Sequence, residues 1–283
     1  MDPQPDIAES VIIMAAVNGA RPRKSDNPAL PITPEEIAAE AARCHDKGAS
    51  AVHVHVRDDQ EHHILDAERY RRTIGEIEQL AGYGLMIQAT TEAQGIYSPE
   101  EQIALVKSLQ PEWASVVVTE LLPDPNDETQ FAEFLNWAYE QGIWIQFILY
   151  KPEDLSLFGE LQQRGIIPYH NPSVLFVLGR NNNNQQSMPE DLDAYLDRLD
   201  GTQDVVWMMC AFGKRENDCV RYAIERNGHV RVGFENNMRL PNGKLAPSNA
   251  ALVSLAAEEA KAAGRPIMTA AGLRLLKSRS FQL

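Results

Sequence analysis

Two segments of the 283-residue chain carry side chains whose types and spacing suit metal-assisted chemistry. The first is His53-Val54-His55-Val56-Arg57-Asp58, at the end of an apolar, β-branched run over 50–56. Side chains alternate along a strand, so His53, His55 and Arg57 project to one side while Val52, Val54 and Val56 project to the other. An imidazole pair so placed can hold one divalent ion and leave positions open for a substrate. The same spacing also fits two core histidines satisfied by hydrogen bonds. The second segment is His229-Val230-Arg231-Val232-Gly233-Phe234-Glu235-Asn236-Asn237, where Arg231, Gly233 and Glu235 share one face. Two imidazoles and a carboxylate form a common zinc set. Glu235 would equally serve as a loop carboxylate paired with Arg231. Thr90, Thr91 and Ser115 close two further apolar runs and could offer hydroxyls to a developing oxyanion, although threonine is in any case a favoured strand residue. Arg21, Arg23 and Lys24 form the densest basic cluster near a strand end, and His62 and His63 read as loop residues without a role.

These side chains need elements to carry them. Apolar runs at 10–16, 50–56, 85–90, 113–118, 143–149, 173–178, 204–210 and 229–234 predict eight strands. Segments of helical period near 34–47, 66–81, 99–109, 128–141, 152–164, 188–199, 216–227 and 248–263 alternate with them. Thr33-Pro34-Glu35-Glu36 and Ser98-Pro99-Glu100-Glu101 each place a capping hydroxyl before a first-turn proline and acids. Strict alternation implies parallel strands, and eight units in this length predict a single (β/α)8 TIM barrel over 1–283 with short terminal extensions. The eighth strand of a barrel lies beside the first, which brings Glu235 toward His53 and His55. Irregular stretches at 17–33, 119–127, 180–187 and 235–247 each follow a strand and belong on the catalytic face. The asparagine run 181–184 reads as a solvated turn. Neither GxGxxG nor GxxxxGK[ST] follows a strand, so a nucleotide-binding open sheet has no support.

Composition sets the remaining bounds. Twenty-six basic against forty acidic residues give a net charge of −14, which opposes nucleic acid and anionic membranes as partners. No apolar run is long enough to span a membrane. The start, MDPQPDIAES, lacks a secretory pattern, and the unpaired Cys44, Cys210 and Cys219 read as buried free thiols. A cytoplasmic setting is the expectation. An anionic substrate would need a local positive cluster, expected from Arg21, Arg57, Arg231 and a bound cation.

The segments AAVNGARPRKSDNPALPITPEEIA, GASAVHVHVRD, NPSVLFVLG, NGHVRVGFENN and SNAALVSLAAEEAKAAGRPI resemble the β-keto acid cleavage enzymes, among them 3-keto-5-aminohexanoate cleavage enzyme. The resemblance runs from about residue 10 to 272. It implies a Zn2+-dependent (β/α)8 barrel, typically a homotetramer, that converts a β-keto acid and acetyl-CoA into acetoacetate and a new acyl-CoA. It makes His53, His55 and Glu235 the zinc ligands, Arg231 the catalytic arginine, and Thr90 and Ser115 the hydroxyl donors. A divalent ion chelated by the keto oxygen and carboxylate would stabilise an enolate, and a retro-Claisen step would follow attack on the thioester. Three positions depart from the family pattern. Arg21 and Ile148 stand where the aminohexanoate enzyme has glutamates, which argues against an amino-β-keto acid and for a β-keto dicarboxylate met by Arg21. Asn236 stands where the family has an aspartate thought to move a proton, and an amide cannot act as a base. Two other readings remain: a metal-dependent hydrolase barrel of another kind, and a degenerate barrel that binds metal or acyl-CoA with little turnover.

Overall fold

The computed structural model describes residues 9–124, 127–180, 185–199 and 205–281. The asparagine run 181–184, most of the amino-terminal start and the first residue of the expected 204–210 strand lie outside them. Eight parallel strands close into one barrel in sequence order. They are β1 (Ile13–Ala16), β2 (Ala51–Val54), β3 (Met86–Thr90), β4 (Trp113–Val117), β5 (Trp144–Leu149), β6 (Ser173–Leu178), β7 (Val206–Ala211) and β8 (His229–Val232). β1 pairs with both β2 and β8, with Ala16 opposite His53 and Ala15 opposite Val232. The sequence reading of an eight-stranded barrel holds, and each expected strand overlaps an observed one. The strands are nearly continuous apolar runs because helices cover their outer side and packed side chains fill the interior.

The helices are α1 (Pro34–Asp46), α2 (Ala67–Ala81), α3 (Pro99–Leu109), α4 (Val118–Leu121), α5 (Glu128–Glu140), α6 (Asp154–Gln163), α7 (Asp193–Leu199), α8 (Glu216–Glu225), α9 (Asn249–Ala262) and α10 (Ala270–Arg279). Thr33 and Ser98 cap α1 and α3 through reciprocal capping boxes with Glu36 and Glu101, satisfying amide groups that the first turn leaves free. Part of the expected 188–199 helix is instead a tight 3-10 turn over Pro189–Leu192, ahead of α7. Two helices go beyond the sequence reading. α4 is one turn directly after β4, and α10 crosses the amino-terminal end of the barrel. There Arg274 pairs with Glu112 and donates to the Leu85 carbonyl at the foot of β3.

Trp113 and Trp144 stack at 4.8 Å between ring centres, both fully buried. Polar side chains populate the barrel interior closer to its mouth, including His53, His55, Gln88, Thr90, Ser115, Gln146 and Arg231.

Candidate active site

β2 delivers the two histidines. The strand ladder ends at Val54, and Asn18 continues it with its side chain. The amide of Asn18 donates to the His55 carbonyl (2.9 Å) and accepts from the His55 amide (3.2 Å). His55 is thereby held as though still paired in the sheet. β8 delivers Arg231, and the turn after it delivers Glu235. Gly233 has φ +137°, and a Cβ there would lie 2.4 Å from the Ala16 carbonyl, so only glycine lets β8 turn so close to β1. Asn249, the first residue of α9, accepts from the Phe234 amide (2.7 Å) and donates to the Val17 carbonyl (3.0 Å). Buried Glu216 accepts from the Gly233 amide (3.3 Å) and the Asn237 side chain (2.9 Å). Burial pushes its carboxyl up to about 8, against those two hydrogen bonds.

The result is a compact triad. His53 Nε2 and His55 Nε2 are 3.1 Å apart, and Glu235 Oε2 lies 3.4 Å from each. Glu235 Oε2 is buried and has no hydrogen-bond partner among the described residues. Ligands about 2.0–2.1 Å from one tetrahedral ion sit roughly 3.3 Å apart, so this donor set and its spacing fit a divalent ion. Burial pushes the His53 imidazolium down to about 3, so the ring is neutral, as a ligand must be. Burial opposes ionisation of Glu235, yet Arg231 and the two rings hold it well below the usual carboxylate range. Arg231 Nη2 donates to Glu235 Oε1 (3.1 Å) and to Asn236 Oδ1 (3.3 Å).

An inner chamber lined by His53, Thr90, Ser115, Ile148, Arg231 and Glu235 opens toward a larger cleft of about 530 Å3 that includes Arg21 and Asn236. Arg21, His53, Thr90, Ser115, Arg231, Glu235 and Asn236 thus line adjoining spaces, and His55 stands beside His53 and Glu235 without lining either. Thr90 Oγ1 accepts from the Glu92 amide (3.1 Å), while Thr91 donates to the Ser115 carbonyl (3.0 Å) and so braces β4. Ser115 Oγ, Arg231 Nε and Nη1, and Asn236 Nδ2 have no partner among the described residues, although all are buried.

One expectation is corrected and two are extended. Arg57 does not face the chamber; it donates to the carbonyls of Glu61 (2.9 Å) and Pro22 (3.0 Å), and to that of Gly19, thereby fixing the loop after β1. His63 is not a bare loop residue. The hairpin after β2 folds it back, its ring lies 5.1 Å from that of His55, and its Nε2 lies 3.0 Å from the Glu92 carbonyl oxygen. Arg21 does not stand alone. It pairs with Glu92 (2.6 Å), which also takes Arg180 (3.2 Å), and Arg180 lies 4.5 Å from the centre of the Tyr150 ring. The mouth therefore carries buried acid as well as base. Glu92 and Arg180 escaped sequence reasoning because nothing local marks partners 88 residues apart.

A family model described as beta-keto acid cleavage enzyme matches residues 10–276. The chain belongs to the β-keto acid cleavage enzyme family. It is an enzyme of that family, as the sequence motifs implied. It is 32% identical to a 3-oxoadipate:acetyl-CoA acetyltransferase of Cupriavidus necator, over 95% of each chain. It is 30% identical to a 3-keto-5-aminohexanoate cleavage enzyme of Acetoanaerobium sticklandii, over 92% of this chain and 95% of that one. Among solved structures it is similar in fold to a ternary complex of ObcA with a C4-CoA adduct and oxalate. The TM-score is 0.71 at 18% identity, covering 89% of this chain and 68% of that one. No helix among the described residues is long and apolar enough to cross a membrane.

Proposed function

We propose that this enzyme takes a β-keto acid and acetyl-CoA to acetoacetate and a new acyl-CoA, with Zn2+ held by His53, His55 and Glu235. The observation that carries this reading is the convergence of that triad with unpartnered, buried donors on one chamber. The ion would act as a Lewis acid toward a bound keto oxygen. Arg231 Nη1, the Ser115 hydroxyl and the Asn236 amide supply donors where oxyanion charge develops in acyl transfer, and the Thr90 hydroxyl lines the same wall. Arg231 also orients Glu235 through Oε1, leaving Oε2 for the metal. In this reading Thr90, Ser115 and Arg231 are catalytic, and Arg21 and Asn236 bind substrate.

The substrate we propose is a β-keto dicarboxylate. Arg21 and Arg180 both meet the carboxylate of Glu92 at the entrance, where Asp26 also lines the cleft, and the half-exposed Arg21 is the group we assign to an anionic tail. Ile148, with Val117 and Val177, makes the opposite wall apolar and offers nothing to an ammonium group. The relative from Cupriavidus necator is named for 3-oxoadipate, a diacid, which supports this choice. The test is acetoacetate formation from acetyl-CoA across β-keto acids of differing charge. Faster turnover of neutral or cationic acids than of diacids refutes the substrate; no acetoacetate from any of them refutes the reaction. A homotetramer in a cytoplasmic setting and a single-domain chain complete the proposal, and light scattering on the purified protein checks the tetramer.

A further inference from the structure

Behind the metal triad, a file of buried amides runs across the barrel interior. His53 Nδ1 lies 2.6 Å from Gln88 Oε1, and Gln88 Nε2 donates to Gln146 Oε1 at 3.1 Å. Gln146 Nε2 in turn faces Ser173 Oγ at 3.1 Å and Met208 Sδ at 4.0 Å. Gln88 and Gln146 are fully buried, and Ser173 and Met208 are within a percent of it. The register explains the file: Gln88 is opposite His53 on β3, and Ser173 is opposite Gln146 on β6.

We infer that Gln88 and Gln146 are positioning residues that hold His53 in its Nδ1–H tautomer, so that the Nε2 lone pair is free for the metal. This rests on the metal-site reading above. Either end of a glutamine amide could face an imidazole nitrogen, so the orientation of the file decides the tautomer. Ser173 does not decide it, because a hydroxyl both donates and accepts. Met208 does. A thioether sulfur has no hydrogen to give and only weakly accepts, so at 4.0 Å it favours the NH2 end of Gln146 over the carbonyl end facing it. The carbonyl of Gln146 then faces Gln88 and draws the Gln88 NH2 group toward itself. That leaves the Gln88 carbonyl for His53, and a carbonyl accepts only from a protonated Nδ1. Reversing the file would set Gln88 NH2 against Nδ1, protonate Nε2 and block the ligand position. Partners on the distal nitrogen of a ligating histidine commonly set its tautomer and orientation in this way, and their loss costs about 10–100-fold in metal affinity.

Two measurements test the inference. In the metal-free wild-type protein, long-range proton–nitrogen correlation spectra of labelled histidines should give His53 as the Nδ1–H form. An Nε2–H form overturns the proposal without touching the proposed reaction. Zinc affinity by chelator competition is the second readout. Gln88→Leu should weaken zinc by about 10–100-fold. Gln88→Glu should hold it within a few-fold of wild type, since a carboxylate accepts from Nδ1–H in either orientation. Gln146→Leu should weaken zinc when residue 88 is Gln and leave it unchanged when residue 88 is Glu. Wild-type affinity in Gln88→Leu, or Gln88→Glu as weak as Gln88→Leu, overturns the role. If Gln88→Leu does not fold, the wild-type spectra still decide.

Discussion

Gly19 offers a way to move Glu235, the carboxylate we propose as a metal ligand, without touching a donor atom. Its φ is +69°, and a Cβ there would lie 2.6 Å from Glu235 Cγ and 3.0 Å from Glu235 Cβ. Gly19→Ala therefore carries two costs of different kind. The left-handed backbone costs an L-residue about 1–2 kcal/mol. The collision is about 0.8 Å short of ordinary contact, several times the roughly 0.2 Å tolerance of a metal–ligand distance. Gly95 separates the two, since its φ is +75° and a Cβ there meets nothing within 4 Å. Gly95→Ala should lower the melting temperature by roughly 2–8 °C, the backbone term alone in a protein of this size, and leave zinc affinity at the wild-type level. Gly19→Ala should show a comparable or moderately larger melting shift, together with at least tenfold weaker zinc binding and a parallel fall in acetoacetate formation. Calorimetry and chelator competition on the same preparations give both numbers. Zinc affinity in Gly19→Ala equal to that in Gly95→Ala would refute the claim that Gly19 exists to admit Glu235.

Three further outcomes are expected. Removing the metal with a chelator should lower the melting temperature by roughly 5–10 °C from a sample at a hundred times the dissociation constant, where binding adds about 2.7 kcal/mol; an unchanged melting point argues that the triad holds no ion. The Glu216 carboxyl sits at about 8 in the folded protein because of burial, against an ordinary value of 4.5, so the fold prefers its protonated form. That contribution is complete below about 4.5 and is lost as pH rises through about 8, and denaturant midpoints of Glu216→Gln should lack this loss between pH 5 and pH 9; parallel pH profiles for variant and wild type count against it. Asn236→Asp replaces the unpartnered NH2 donor with a carboxylate oxygen and should lower turnover about 10²-fold, the usual cost of losing one oxyanion donor; unchanged or raised turnover in the acetoacetate assay would show that the reaction does not use this amide as a donor.

The barrel was legible because each strand is a short β-branched run with a helix signal behind it, and the alternation fixed both closure and the meeting of β8 with β2 across β1. His53 and His55 could be placed on one face from the two-residue period, and barrel closure brought Glu235 toward them. However, β8 ends at Val232, and it is the turn after Gly233, not the strand period expected for Arg231, Gly233 and Glu235, that delivers the carboxylate. What escaped lay beyond local pattern. α10 has a capping threonine, Thr269, but carries Gly272 inside, and it follows an alternation already complete at eight. His63 escaped because Asp58 and His62 close a tight hairpin that returns the chain against β2. The acid–base set of Arg21, Glu92 and Arg180 joins three loops, and pairings over 71 and 88 residues have no sequence period. Gln88 and Gln146 did leave a trace: glutamine in the middle of an otherwise apolar strand is a buried amide that must find partners.

Asn236 bears on how an acidic chain comes to hold an anionic substrate. The side chain keeps what an aspartate would give Arg231, an oxygen that accepts from Nη2, but it replaces a negative oxygen with an NH2 group that has no partner among the described residues. Arg231 Nη1, Ser115 Oγ and Asn236 Nδ2 are all buried in the same condition. A buried donor left without any acceptor costs about 1–3 kcal/mol. A fold carries that cost around one chamber to advantage when the acceptors arrive with the substrate, and three donors fixed in place then stabilise oxyanion charge without reorganising. The net charge of −14 therefore says little about what this site binds. At the distances involved, a few oriented donors in a buried chamber outweigh acids on the surface that water and salt screen within about 8–10 Å.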